Sequence, residues 1–481
     1  MTSGTRPHPP SPAPGGFQPR RWPGRWAVLR PGPALLGAAL LGACAPDAGY
    51  QAPSFPFASR YQAAAGAPVL LSNDLWWRRL DDPALDRLVE LALAGNPDLA
   101  AAAARVEAAE ALLAAAGVTE SAEASVGALV DREGEASVTF SASLTRVFDP
   151  GGALRAERRG ALARAGIAEA ERDAAWLRLL DATVSGYLDL RFRQELLALR
   201  RAGIERRRDT LATVRRLAAE EEATRLEVLR AEARLAEAEA GLPAVEAAIP
   251  AALSGLAVLA GRAPGGLPPD LAAALARPAA QPRAGLSPEV GVPADLLRNR
   301  PDLRLAERRY YAAVAGIGEA RAALYPRLSL RGSLSVDALA DGSAALALGP
   351  SLQLPPLPQG PARAAIRARE AEARAAAADW RAAVLAALAE MEAALLDHRA
   401  TARAEEAAGR AARLDAEALA LTRRLFELES ATLGDLIEAE SALGSSEERL
   451  AEAVLGRARA FAALNVRLGS GHQGGESLPP S

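Results

Sequence analysis

The chain states one plan twice, and this limits its fold more than any local motif does. Asn96-Pro97-Asp98-Leu99 returns as Arg300-Pro301-Asp302-Leu303, 204 residues later. Arg216-Leu217, Glu221, Ala223-Thr224, Ala231-Glu232 and Leu235 return as Arg424-Leu425, Glu429, Ala431-Thr432, Ala439-Glu440 and Leu443, each 208 residues later. The drift from 204 to 208 is about one turn of α-helix, an insertion that keeps the same side facing inward. Two copies of one unit must therefore solve the same packing problem side by side.

Inside each copy the order reads helix, strand, strand, helix, helix. In the first copy Ala122, Ala124, Val126, Ala128 and Val130 alternate with Ser121, Glu123, Ser125 and Gly127, and Val138, Phe140, Ala142 and Leu144 alternate with Ser137, Thr139, Ser141 and Ser143. Asp131 to Glu135 form a polar turn between them. The second copy sets Leu328, Leu330, Leu334 and Val336 against Ser329, Arg331, Ser333 and Ser335, then Leu346, Leu348, Pro350, Leu352 and Leu354 against Ala347, Gly349, Ser351 and Gln353. Four strands of about 9 to 11 residues with one apolar face have the length that crosses a bilayer when tilted. A soluble hairpin with one wet side has the same pattern. Pro350 must sit where no ladder N–H is needed.

The rest is helical in composition. Half of the residues are hydrophobic, but only 4% are aromatic and alanine dominates, which favours long, closely packed helices. Proline-free runs extend from Ala153 to about Ala219 and from Ala362 to about Leu428, each able to span roughly 100 Å. Helices of that length with an Ala-rich surface must pack along their whole extent. Returning helices are expected from Thr224 to Arg262, broken by Pro243 and Pro250, and from Thr432 to Arg467.

Several function classes are excluded. A net charge of −3 offers no polyanion surface, and no aromatic-studded basic groove for nucleic acid is present. No nucleophile stands beside a histidine, no phosphate loop appears, and there is no metal-ligand cluster. The expectation is a protein that is not an enzyme and needs no cofactor. His8, His398 and His472 read as surface residues. Beyond the N-terminal region no apolar run reaches the roughly 18 residues of a membrane helix, so any membrane passage falls to the strands.

The N-terminal region reads as a targeting segment. Arg20, Arg21, Arg25 and Arg30 precede an apolar run from Pro31 to Leu41, and Leu41-Gly42-Ala43-Cys44 resembles a bacterial lipobox, in which lipid is attached at Cys44 after cleavage. Ala45 after the cysteine implies sorting to the outer membrane. The expected organisation is a signal peptide at 1–43, a lipidated tether at 44–75, a first repeat at 76–265 with strands about 121–146, and a linker at 266–290. A second repeat follows at 291–468 with strands about 327–355, then a polar tail at 469–481.

The stretch from Gly291 to Pro326 carries a resemblance. Gly291, Pro293, Asp295, Leu296, Leu297, Arg298, Arg300, Pro301, Asp302, Ala306, Glu307, Gly318, Ala320, Arg321, Tyr325 and Pro326 match the signature of the TolC-like outer-membrane efflux proteins, in their NodT-like lipoprotein branch. Trp76-Trp77 through Asp82-Pro83-Ala84-Leu85 resembles that family's opening, and the corners at 149–152 and 357–360 resemble its strand-to-helix corner. The resemblance implies a mainly α fold with a small β part: a long antiparallel α-helical barrel plus four transmembrane strands per chain, twelve in a homotrimer.

What the resemblance implies about function is a passive outer-membrane channel. It would take drugs or other small molecules from an inner-membrane RND-type pump through a periplasmic adaptor. The turns holding Arg216, Leu217 and Thr224 and holding Arg424, Leu425 and Thr432 would be the adaptor-contact tips, and Glu438, with Asp435 second, the periplasmic gate. The family has Gly where this chain has Glu221 and Glu429, which implies a continued or differently capped turn. Two alternatives stay open: a lipid-anchored periplasmic coiled-coil adaptor or scaffold, and a channel for type I protein secretion.

Overall fold

The computed structural model describes residues 54–55, 57–63, 75–130, 136–283, 291–337 and 344–471. Cys44, the targeting segment, the turn at 131–135, His8 and His472 lie outside the described residues.

The first copy opens with a 3-10 turn at Trp76–Leu80, then α1 (Pro83–Gly95) and α2 (Pro97–Ala115). Asp82 caps α1 by accepting from the Ala84 N–H at 2.9 Å, and Asn96 caps α2 by accepting from Asp98 and Leu99 at 2.9 and 3.1 Å, with proline in the first turn of each helix. Strands β1 (Glu120–Val130) and β2 (Ala136–Phe148) follow, then α3 (Ala153–Ala219), α4 (Arg225–Ala240), α5 (Leu242–Leu259) and the short α6 (Pro269–Ala276). The second copy runs α7 (Leu296–Asn299), α8 (Pro301–Ala322), β3 (Arg327–Asp337), β4 (Ala344–Gln353), α9 (Gly360–Glu427) and α10 (Leu433–Arg467). α8 has 22 residues where α2 has 19, three residues more. Where the first copy caps with Asn96, the second has Arg300, whose guanidinium instead ties Asp302 at 2.7 Å to Glu390 at 2.9 Å.

The four strands form one antiparallel sheet in the order β1-β2-β3-β4, so the β2–β3 seam joins the two copies. Its register lines up the alternating residues. Val126 pairs with Phe140, Phe140 with Val336, and Val336 with Ala344, while Ser125, Ser141 and Ser335 line up on the other face. Pro350 lies on the outermost strand opposite Leu330, where a missing N–H is tolerated.

The helices α3 and α9 hold 67 and 68 residues, about 100 Å each at 1.5 Å per residue. They are stabilised by two main cores. In one, Trp76, Trp77 and Leu80 pack with Leu180, Tyr187, Leu256 and Phe461; in the other, Tyr61, Leu296 and Leu303 pack with Trp380, Met391 and Leu464. Tyr61 belongs to the stretch read as a tether. Phe55 meets Trp380 edge-on at 5.1 Å, and the Gln62 and Ala63 N–H groups donate to the Glu392 carboxylate at 2.6 and 2.8 Å.

Three expectations are corrected. Pro243 does fall at a break, in the first turn of α5 after Gly241, but Pro250 lies inside α5 without ending it, and its carbonyl takes a hydrogen bond from the Ser254 hydroxyl at 2.9 Å. Arg225–Leu259, across α4 and α5, is long and apolar enough to cross a membrane by length and composition, because Glu246 is the single charge in α5. Leu256 of that helix is nevertheless buried against α3. His398 is buried rather than exposed, its ring 6.4 Å from that of Phe461 on the core-facing side of α9. Burial, and then the neighbouring Arg457, lower its pKa.

Two glycines are demanded by close approach. Gly261 ends α5 at φ 68° and Gly469 ends α10 at φ 75°; a Cβ on Gly261 would sit 2.0 Å from the Gly95 carbonyl oxygen, and one on Gly469 would sit 2.2 Å from that of Asn299. The positions are 208 residues apart, so α5 is seated against the start of α2 and α10 against the start of α8 in the same way.

Candidate functional site

At the far end of the long helices each copy turns through a short loop. The Glu222 N–H donates to the Leu217 carbonyl at 2.8 Å and the Glu221 N–H to that of Ala218 at 3.3 Å; in the second copy Ser430 donates to Leu425 at 2.8 Å and Glu429 to Phe426 at 3.1 Å. This pair of bonds is a Schellman ending, which places the residue after the helix in the left-handed region. Glu221 has φ 59° and Glu429 φ 58°. The expected continued or differently capped turn is therefore corrected: the helix stops, and glutamate adopts the backbone that a glycine would take.

The next helix begins at once with a capping box. Thr224 and Glu227 satisfy each other's backbone at the start of α4, and Thr432 and Asp435 do so at the start of α10. Bonds from the Thr224 N–H and hydroxyl hold the Glu227 carboxyl below the usual range, and the Thr432 hydroxyl and N–H do the same for Asp435. The two tips pack together through Leu211, Val214, Val228 and Leu433, with Phe426 and Ile437 alongside.

The left-handed ending followed by a capping box is thus made twice, and the two copies of it lie side by side. Among the described residues no group of three or more His, Cys, Asp or Glu could hold a metal. The sheet at the other end supplies the second element of the site. Its apolar face is uncovered: Leu346 is 82% exposed and Val126 68%, with Leu144, Leu348 and Leu352 also exposed. An uncovered apolar sheet joined to helices of this length matches a known architecture. The family model for outer membrane efflux proteins matches residues 88–262 and again 292–470.

The chain belongs to the outer membrane efflux protein family. Nodulation protein T of Rhizobium leguminosarum bv. trifolii is 30% identical over 462 residues, covering 90% of this chain and 96% of that protein. The pyoverdine export outer membrane protein OpmQ of Pseudomonas aeruginosa is 32% identical over 324 residues, 62% of this chain and 65% of OpmQ. The solved structure of the outer-membrane channel OprN superposes with a TM-score of 0.78 at 29% identity, covering 89% of this chain and 99% of OprN.

In this efflux-family chain the sequence-predicted residues fall on the tips. Arg216, Thr224, Arg424, Leu425, Thr432, Asp435 and Glu438 are exposed and Leu217 is half-buried. Asp435 is occupied as the capping carboxylate, whereas Glu438, one turn further on, is exposed to solvent. Leu226, Leu229 and Leu428, also exposed at the tips, were missed.

Glu440 was missed too. It is buried between α3, α9 and α10, accepts from the Thr210 hydroxyl at 2.7 Å and lies 3.6 Å from Arg423. Burial raises its pKa against the opposing pull of Thr210, Arg423, Arg207 and Arg206. Its signal was the repeat itself. Glu232, 208 residues earlier, pairs with Arg215 at 2.7 Å, as Glu440 faces Arg423.

Proposed function

We propose that this protein is the outer-membrane exit duct of a tripartite efflux system. Its sheet crosses the outer membrane, Cys44 carries the lipid anchor, and its helices extend into the periplasm. An adaptor meets the tips, and an inner-membrane RND-type pump supplies small molecules and the energy to move them. The observation that carries this reading is the uncovered apolar sheet face, aligned in register across all four strands. A soluble β-domain buries such a face, which disfavours the periplasmic adaptor or scaffold.

Four strands cannot close a barrel, whereas three chains supply about twelve, within the range of known barrels. The doubled plan supports the closure. β2 lies against β3 and α3 against α10 inside the chain, so β4 and α9 offer a further copy the same edges that β2 and α3 use. The relative named for pyoverdine export favours small molecules over secreted proteins.

At the tips Glu438 is the proposed gate residue, with Asp435 second. Three symmetry-related carboxylates near one axis favour cations and resist closure by repulsion. The test is single-channel recording of the purified protein in a planar bilayer. Wild type should run as a heat-modifiable trimer and conduct with cation preference, and Glu438→Gln should lower that preference. A monomer without conductance would overturn the duct, and an unchanged Glu438→Gln recording would remove the gate assignment.

A further inference from the structure

The two copies serve as controls for each other, and they part company at one groove. In the first copy α3 is tied to the returning helices by Arg201, paired with Glu246 at 2.7 Å, and by Arg208, paired with Glu239 at 2.7 Å. Their equivalents, 208 residues on, are Gly409 and Ala416. Gly409 and Ala416 line a groove of about 700 Å³ between α9 and α10.

Cations return around that groove at new positions. Arg403 and Arg413 stand where the first copy has Glu195 and Glu205, Arg457 stands where it has Ile249, and Arg283 lines the same groove from the segment after α6. The lining carboxylates are already matched: Glu405 by Arg457, Glu406 by Arg410 and Glu447 by Arg206, each at 2.8 Å. Arg283, Arg403 and Arg413 have no ion pair among the described residues, and the buried Arg457 Nε has no acceptor. Simple loosening of the packing would explain the glycine and the alanine. It does not explain two acid-to-arginine reversals facing the space they leave.

We infer that the groove between α9 and α10 binds a small oligoanion bearing carboxylate or phosphate groups. Its volume is that of a small-ligand pocket. Guanidinium forks grip both kinds of group with paired, charge-assisted hydrogen bonds. Assembly leaves the groove open. The face of α3 that meets α10 carries Arg200, Gly203 and Arg206, whose equivalents Ala408, Ala411 and Leu414 lie roughly 100° to 160° around α9 from Gly409 and Arg413. A further copy joined through the repeated seam therefore covers the side of α9 away from Gly409 and Arg413, with Arg403 at its edge beside Leu414. The binding stands whether or not the protein is a duct.

The test is calorimetric titration of the full-length purified protein at low salt with citrate and with inorganic pyrophosphate. Saturable binding of either probe at one site per chain is expected, weakening as salt rises. The double variant Arg403→Glu/Arg413→Glu, which restores the first copy's residues, should weaken binding by about tenfold or more, since it removes two charge-assisted contacts. Gly409→Arg should block it by filling the groove. Arg283→Ala, outside the long helices, is the variant to use if those two fail to assemble by size exclusion, and it too should weaken binding. No saturation by either probe at millimolar concentration overturns the inference, as does wild-type affinity in the assembled variants.

Discussion

Glu221 and Gly261 occupy the same position of the same helix-ending motif, yet they answer to different constraints. At Gly261 the neighbouring Gly95 carbonyl leaves no room for a Cβ, while at Glu221 the side chain points into solvent and only the left-handed backbone is unfavourable. Glu221→Gly and Glu429→Gly should each stabilise the protein by about 1 kcal/mol, the ordinary cost of a left-handed residue with a side chain. Gly261→Ala should destabilise it by more than that, and thermal unfolding in detergent reads both. Equal effects of either sign would mean that the backbone, and not the close approach, sets these positions. Glu440 gives a second test. Its folded pKa is raised, so the native state holds the proton more tightly than the unfolded chain, and the stability contributed is present below the ordinary carboxylate range and lost as pH rises through the folded value. Glu440→Gln keeps an acceptor for Thr210 without the buried charge. Its melting temperature should exceed that of wild type at neutral pH, and the gap should shrink on acidification. A gap that widens instead would mean that the surrounding arginines outweigh burial.

Among the elements, legibility followed how far each was governed by local periodicity. The sheet could be read because alternation in Ser121 to Val130 and Arg327 to Val336 is a property of the strand itself, and the register kept those faces aligned. The long helices could be read because nothing in Ala153 to Ala219 breaks them. Pro250 misled because a helix tolerates proline when neighbouring packing holds it, which one sequence position does not reveal. The seat of Phe55 and Tyr61 on α9 was hidden for a similar reason, since it depends on Glu392 and Trp380 more than 300 residues away. The candidate site divides the same way: the threonine caps were visible locally, while the burial of Glu440 arises only when three helices meet. The two sheet faces predict opposite tolerance to charge. Leu346→Arg, on the uncovered apolar face, should cost about 2 to 4 kcal/mol if that face meets lipid near the midplane, and should deplete the protein from outer-membrane fractions. Ser333→Arg, on the other face, should leave the yield of heat-modifiable assembly near wild type. Equal tolerance at both positions would remove lipid from the apolar side.

For the whole molecule, the repeat predicts how one chain meets the next. The β1–β2 and β3–β4 hairpins superpose when β2 is advanced 208 residues onto β4 and β1 is advanced 206 onto β3, a shift that keeps apolar residues on the apolar face. Carrying the internal β2–β3 register through that operation gives the contact between β4 of one chain and β1 of the next. Phe140 opposite Val336 becomes Leu348 opposite Val130, and Leu144 opposite Gly332 becomes Leu352 opposite Val126, so leucine meets valine across the new seam. The neighbouring pair on the opposite face is Gln353 with Ser125. Directly opposed residues lie about 4.5 to 5.5 Å apart between Cα atoms, within disulfide range. Gln353→Cys with Ser125→Cys should therefore yield a ladder ending at the trimer on non-reducing gels, collapsing to monomer with reductant. Gln353→Cys with Val126→Cys, displaced by one residue and turned to the other face, should cross-link poorly. The two cysteines stand on opposite edges of one chain's sheet, separated by β2 and β3, so a bond within the chain cannot mimic the result. Efficient linking in the displaced pair alone would mean that the chains meet in a register that the repeat does not dictate.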